Sequence, residues 1–163
     1  MARAAHGPVT QAVRASGADR LPTVCALLNA ARVQYVVVGG FALVLHGVVR
    51  TTKDVDILIE PSLANVRRAL RALEQLPFGV ASDLDPAEVA AKQLTIVGDN
   101  PRVDLLTLAW SVRYADAAPG ALSADVDGVT VPYADVATLI RSKQTGRLQD
   151  RADIEALERL KQL

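Results

Sequence analysis

Apolar positions recur along this chain with two different periods, and the switches between them mark out the elements. Leu21, Val24, Cys25 and Leu28 follow helical spacing, with Pro22 tolerated in a first turn. Cys25 falls on that apolar stripe, as a buried, inert thiol would. The run Tyr35–Val38 predicts a strand, Gly39-Gly40 a turn, and residues 41–46 a short helix on which His46 is packed or hydrogen-bonded. Residues 53–60 read as a second strand stopped by Pro61. Ser62 then offers an N-cap to a helix with Leu63, Val66, Leu70 and Leu73 on its apolar face and Arg67, Arg68 and Arg71 in solvent. Asp85-Pro86 opens a short helix through about Ala91. Residues 93–97 and 102–108 form a hairpin across a Gly98–Pro101 turn, and Asp127-Gly128 joins strands 124–126 and 129–131. Two helices, near 135–145 and 150–163, close the chain. Hairpins mixed with helices predict an α+β (α/β) fold with a mixed β-sheet.

Inside the second strand sit two aspartates. Side chains alternate along a strand, so Asp54, Asp56 and Leu58 share one face and Val55, Ile57 and Ile59 the other. Two ionised carboxylates on a partly buried face repel each other and lose hydration, which is tolerated when they are paired or bind a metal. A hard divalent cation, most often Mg2+ beside phosphates, satisfies them with oxygen ligands. The same spacing recurs twice. Asp83 and Asp85 precede Pro86 as a helix start, while Asp125 and Asp127 flank the Gly128 turn. Only Asp54 and Asp56 lie in an apolar strand that follows a glycine turn leading into a helix.

Asp104, between Val103 and Leu105, joins them if its strand neighbours the first carboxylate strand. Three carboxylates can hold two metal ions for an in-line phosphoryl displacement, and Asp104 could take the proton of an attacking hydroxyl. Gly39 and Gly40, opening a helix, offer backbone amides to a phosphate. Arg50 and Thr52 stand between that turn and the carboxylates, where a triphosphate would pass. The plainer alternatives are an Arg50–Asp54 ion pair, or pairing of the aspartates with Arg50, Lys53 or Arg102. Trp110 is either a stacking platform for a base or a partly buried anchor.

Composition narrows the rest. The chain has 163 residues, half of them hydrophobic and 4% aromatic, so its core is aliphatic and sized for one domain over 20–163. Residues 1–19 carry two arginines and no acid before Asp19, and read as a flexible N-terminal segment. A formal net charge of +0 argues against a broad nucleic-acid surface. A single cysteine excludes an internal disulfide and suits a reducing, cytoplasmic setting.

Gly39, Gly40 and Ala42, then Arg50, Thr52, Asp54 and Asp56, and finally Asp104, resemble the nucleotidyltransferase superfamily of DNA polymerase beta type. Within it they look most like the bacterial branch of toxin-type and aminoglycoside- or lincosamide-modifying transferases. The tail SKQTGRLQDRADIEAL is similar to that branch's closing segment, where Lys143 would reach a phosphate. Arg147, Asp150 and Asp153 are better explained as an N-cap and helical i,i+3 pairing that pins the last helix. The resemblance implies the minimal nucleotidyltransferase fold, helices mainly on one face of the sheet, and two Mg2+ held by Asp54, Asp56 and Asp104. It implies an NTP donor bound by Gly39, Gly40, Arg50, Thr52 and Lys143. The acceptor would be a hydroxyl on tRNA, protein or a small compound, with a partner protein or a second copy as further partners and no membrane. Phe41 departs from the serine that many relatives place in the glycine turn. The chain is also short for the added helical domain that often grips the acceptor. The rival reading is a catalytically weak nucleotide-binding or antitoxin-like module on the same fold.

Overall fold

The computed structural model describes residues 20–98 and 101–163. The expected flexible segment 1–19 lies outside them. Helix α1 (Arg20–Ala30) leads into β1 (Tyr35–Val38), α2 (Gly39–Leu45) and β2 (Val55–Ile59). Next come α3 (Leu63–Leu73), a 3-10 segment (Pro77–Asp83), α4 (Pro86–Ala91), β3 (Leu94–Val97) and β4 (Val103–Leu106). A one-turn α5 (Tyr114–Ala117) and a 3-10 turn (Ala118–Gly120) precede the hairpin β5 (Leu122–Val126) and β6 (Val129–Tyr133), then α6 (Val136–Ser142) and α7 (Leu148–Lys161). The strands form a six-stranded sheet in the order β3-β4-β2-β1-β6-β5. β2/β4 and β1/β6 are parallel and the other pairs antiparallel, so the sheet is mixed and the fold α+β.

Register divides the sheet into two unlike faces. Tyr35, Val37, Val55, Ile57, Ile59, Val103, Leu105 and Val97 line one, all buried. Helix α1 covers this face: its Cys25 bonds Tyr35, and Asn29 donates to the Thr130 carbonyl at 2.8 Å. Burial pushes the Cys25 thiol up to about 12, against a small opposing effect of the Tyr35 bond, so it is not nucleophilic near neutrality. Helix α3 packs on α1. Its expected apolar face is corrected at one position, since Leu63 is exposed and Asn65 is fully buried instead. Asn65 accepts from the Gln34 amide and donates to the Gln34 and Glu60 carbonyls, satisfying backbone groups at the ends of β1 and β2.

The other face is closed over Val36 and Leu58 and open toward β3 and β4. There Val38, Asp56, Asp104 and Ile96 stand side by side across four strands. A second, apolar row of Val36, Leu58, Leu106 and Leu94 runs beside it. Ser62 and Asp85 cap their helices as the sequence predicts, and Asp125 accepts from the Gly128 amide in its turn. The short α5 and both 3-10 turns have no counterpart in the periodicity, being too brief to express one. Asp116 starts α5 by accepting from the Arg113 amide at 2.9 Å. Among the described residues no helix is long and apolar enough to cross a membrane.

Candidate active site

Three aspartates from two segments meet at the open face. Asp56, on β2, lies beside Asp104 in the parallel β2/β4 register and within hydrogen-bonding reach of it. Asp54 precedes β2 and is half-exposed. Burial, then the charge and hydrogen bond of Asp104, and then the charge of Asp54 push the Asp56 carboxyl up to about 7, against a smaller lowering by Lys143. Two carboxylates so placed lack positive charge. Arg102 supplies part of it: Nε lies 2.8 Å from Asp104 Oδ1, Nη2 3.3 Å from Oδ2, and Nε 3.7 Å from Asp54 Oδ2. Arg102 and Asp104 share a strand face at i,i+2, which was the readable signal for this fork.

The glycine turn abuts the same carboxylate. Gly39 has φ +69, and a Cβ built there would lie 1.9 Å from Asp56 Oδ2. Only glycine meets both demands. At Gly40 a Cβ would lie 2.5 Å from Thr52 Oγ1, so the two residues fit face to face. The helix starts at Gly39 itself, two residues earlier than expected.

A cleft of about 460 Å³ opens over these groups, lined by Gly39, Asp54, Asp56, Asp104, Arg102 and Lys143, and further by Ser142, Thr145, Arg147 and Asp150. Its remaining wall is Leu94, Leu106, Leu108, Ala109 and Trp110, with Val38. Gly40, Arg50 and Thr52 do not line it. Arg50 pairs with Asp153, not with Asp54 as the plain alternative had it.

Lys143 is nearly buried, 2.8 Å from Asp153 Oδ2 and 3.6 Å from Asp150 Oδ1. Burial alone would raise both carboxyls. Bonds from Lys143, Arg50 and Gln149 to Asp153, and from Thr145 and Arg147 to Asp150, hold them below the ordinary range instead. This network ties α7 to the end of α6 and presents Lys143 to the cleft, so the same residues serve packing and site.

The donor set is all carboxylate oxygen, which suits a hard divalent cation. Among the described residues no three His, Cys, Asp or Glu side chains form a ready-made ion cage. Mg2+ is commonly held by one or two carboxylates with substrate phosphates completing the shell. Asp56 and Asp104, in register and short of positive charge, fit that arrangement.

His46 bonds the Ala134 carbonyl at 2.8 Å and meets Tyr133 edge-on, as a packed histidine. Trp110 is no buried anchor: it is 57% exposed, with φ +58. For a bulky L-residue that backbone costs on the order of 1–2 kcal/mol.

Over residues 24–162 the chain matches the family described as "Nucleotidyltransferase of unknown function (DUF6036)". It belongs to that family. No curated protein matches it. Family membership makes nucleotidyl transfer the general chemistry to test against this cleft.

Proposed function

We propose that this nucleotidyltransferase-family chain transfers a nucleoside monophosphate from an NTP to a hydroxyl acceptor. The observation that carries the reading is the abutment of Gly39 on Asp56, itself paired in register with Asp104. A glycine turn directly beside a cluster of carboxylates supports phosphate binding there. The acceptor oxygen bonds to the α-phosphorus as the bond to pyrophosphate breaks, and the hydroxyl proton passes to Asp104.

Asp54, Asp56 and Asp104 would hold Mg2+, which supplies charge neutralisation of the phosphates and of the departing pyrophosphate. Gly39 offers its backbone amide and Lys143 a point charge to the triphosphate. Arg50 and Thr52 act from behind, through Asp153 and Gly40, rather than on the phosphates. Arg102 must leave the carboxylates for a cation to enter. Rate enhancement then comes from positioning and charge. The resemblance of the motifs supports a place in the toxin-type and antibiotic-modifying branch, with the acceptor gripped by the cleft or by a partner chain, and the single cysteine suits work in the cytoplasm.

One observation favours a second reading, a nucleotide-binding module with little turnover: the two-pronged grip of Arg102 on Asp104. Transfer of label from α-labelled NTPs to candidate acceptors, beside calorimetric NTP titration with and without Mg2+, separates the two. The enzyme reading expects Mg2+-dependent labelling abolished in the Asp54→Asn/Asp56→Asn double variant. Full activity in that variant refutes it, and tight binding without turnover favours the module.

A further inference from the structure

The cleft has a second half that the transfer chemistry leaves unassigned. Two residues along β4 from Asp104, roughly 6–7 Å at the usual strand rise, Leu106 faces Leu94 across the β3/β4 pair. Leu108, Ala109 and Trp110 extend the same wall. Leu94 is 43% exposed and Trp110 more so. The backbone that carries Trp110 is nonetheless held in place. Ala109 and Val112 exchange backbone bonds of 2.8 and 3.0 Å around it, and its φ is +58. An indole kept out of the core on a strained, hydrogen-bonded turn at the rim of a cleft is a surface made to be covered.

Charge narrows what covers it. Among the described residues the wall of Leu94, Leu106, Leu108, Ala109 and Trp110 carries no charged side chain. The lining cations all face carboxylates: Arg102 meets Asp104 and Asp54, Lys143 meets Asp153 and Asp150, and Arg147 meets Asp150. A phosphate chain on this wall would lack a counter-ion, and a polyamine would desolvate its charges against leucine. Position narrows it further. Asp56 and Asp104 stand between the Gly39 turn and the leucine row. In-line displacement puts attacking and leaving oxygens on opposite sides of phosphorus. With pyrophosphate leaving over Gly39, the attacking hydroxyl arrives from the leucine side.

We infer that this wall is the acceptor subsite and that the acceptor presents a neutral, flat aromatic ring bearing the hydroxyl, stacked on Trp110. The inference rests on the transfer reading for its direction. The ring belongs to a free phenol or to a tyrosine side chain.

Trp110 is the only tryptophan of the chain, so its emission reports on this wall alone. The full chain, without metal or nucleotide, is titrated with 4-methylphenol, with N-acetyltyrosinamide, with adenosine and with a polyamino sugar, exciting beyond phenol absorption. Saturable change with the two phenols, and little with the others, is expected. Tighter binding of the tyrosine amide names the side chain as the source, and equal binding names the free phenol. Trp110→Gly, which suits the left-handed backbone and keeps the fold, should weaken phenol binding about tenfold or more by calorimetry. It should leave the Kd for NTP unchanged. The absence of a phenol response overturns the inference, as do a stronger response to adenosine or to the aminosugar and a loss of NTP affinity in the glycine variant. These are binding readouts. A protein that binds phenols yet transfers no label to any acceptor refutes the transfer reading while keeping the subsite.

Discussion

Asp56→Asn should make the metal-free protein more stable, and increasingly so as pH rises. In the native state Asp56 is pushed from 3.8 up to about 7, by burial first and by Asp104 and Asp54 next. Well below 3.8 both folded and unfolded chains hold its proton, and it contributes no pH dependence. Between 3.8 and about 7 the folded chain holds the proton more strongly, so each rise in pH favours unfolding. Above 7 the full cost is present. A rise of that size corresponds to a ceiling of about 4 kcal/mol, and at pH 4.5 the same linkage leaves about 1 kcal/mol. Asparagine removes the charge and can still donate to Asp104. Urea unfolding in EDTA at about pH 4.5 and pH 8 measures both ends by linear extrapolation. The expected result is a gain for the variant that grows by up to about 3 kcal/mol over that interval. A gain independent of pH, or a variant less stable than the parent at pH 8, refutes the electrostatic account of this cluster.

Gly39→Ala puts a Cβ where Asp56 Oδ2 stands and forces φ +69 on alanine, so NTP affinity and stability should both fall. Gly47→Ala, with φ +95 and no atom within 4 Å, is the control; it should lose only the roughly 1–2 kcal/mol of left-handed strain and keep calorimetric NTP binding. Lys143→Met leaves Asp153 and Asp150 short of a buried partner. Breaking such a pair costs roughly 3–5 kcal/mol, and Arg50 on Asp153 keeps the expected loss near the lower end. Adding Asp153→Asn should recover part of that stability in urea unfolding but none of the NTP affinity. A Lys143→Met protein of parental stability contradicts the ion-pair account. Since Asp153 is held below 3.8, its stabilisation is present above that value and lost as pH falls, opposite in sign to Asp56.

Much of the chain's local structure follows from nearest neighbours. The Ser62 and Asp85 caps, the Asp125–Gly128 turn and the helical stripe of α1 are each set by residues within four positions of one another. Alternation alone put Asp56 and Ile57 on opposite faces, and the glycine turn together with the three aspartates pointed to a nucleotidyltransferase, the general class that the family match supports. The pairing of Asp56 with Asp104, 48 positions apart, needed the β2/β4 strand order, because a one-residue slip in register would turn Asp104 to the other face. The partner of Arg50 is likewise a tertiary outcome: Asp54 is near in sequence, but Asp153 arrives only when α7 packs beside the site. Trp110 was readable as an aromatic after a strand. Its exposure and left-handed backbone were not, since they come from the Ala109–Val112 turn at the cleft rim. Short-range spacing determined the elements and the chemistry each could carry. Which charges meet, and which wall stays bare, was decided by the sheet, since those contacts join residues that only folding brings within reach.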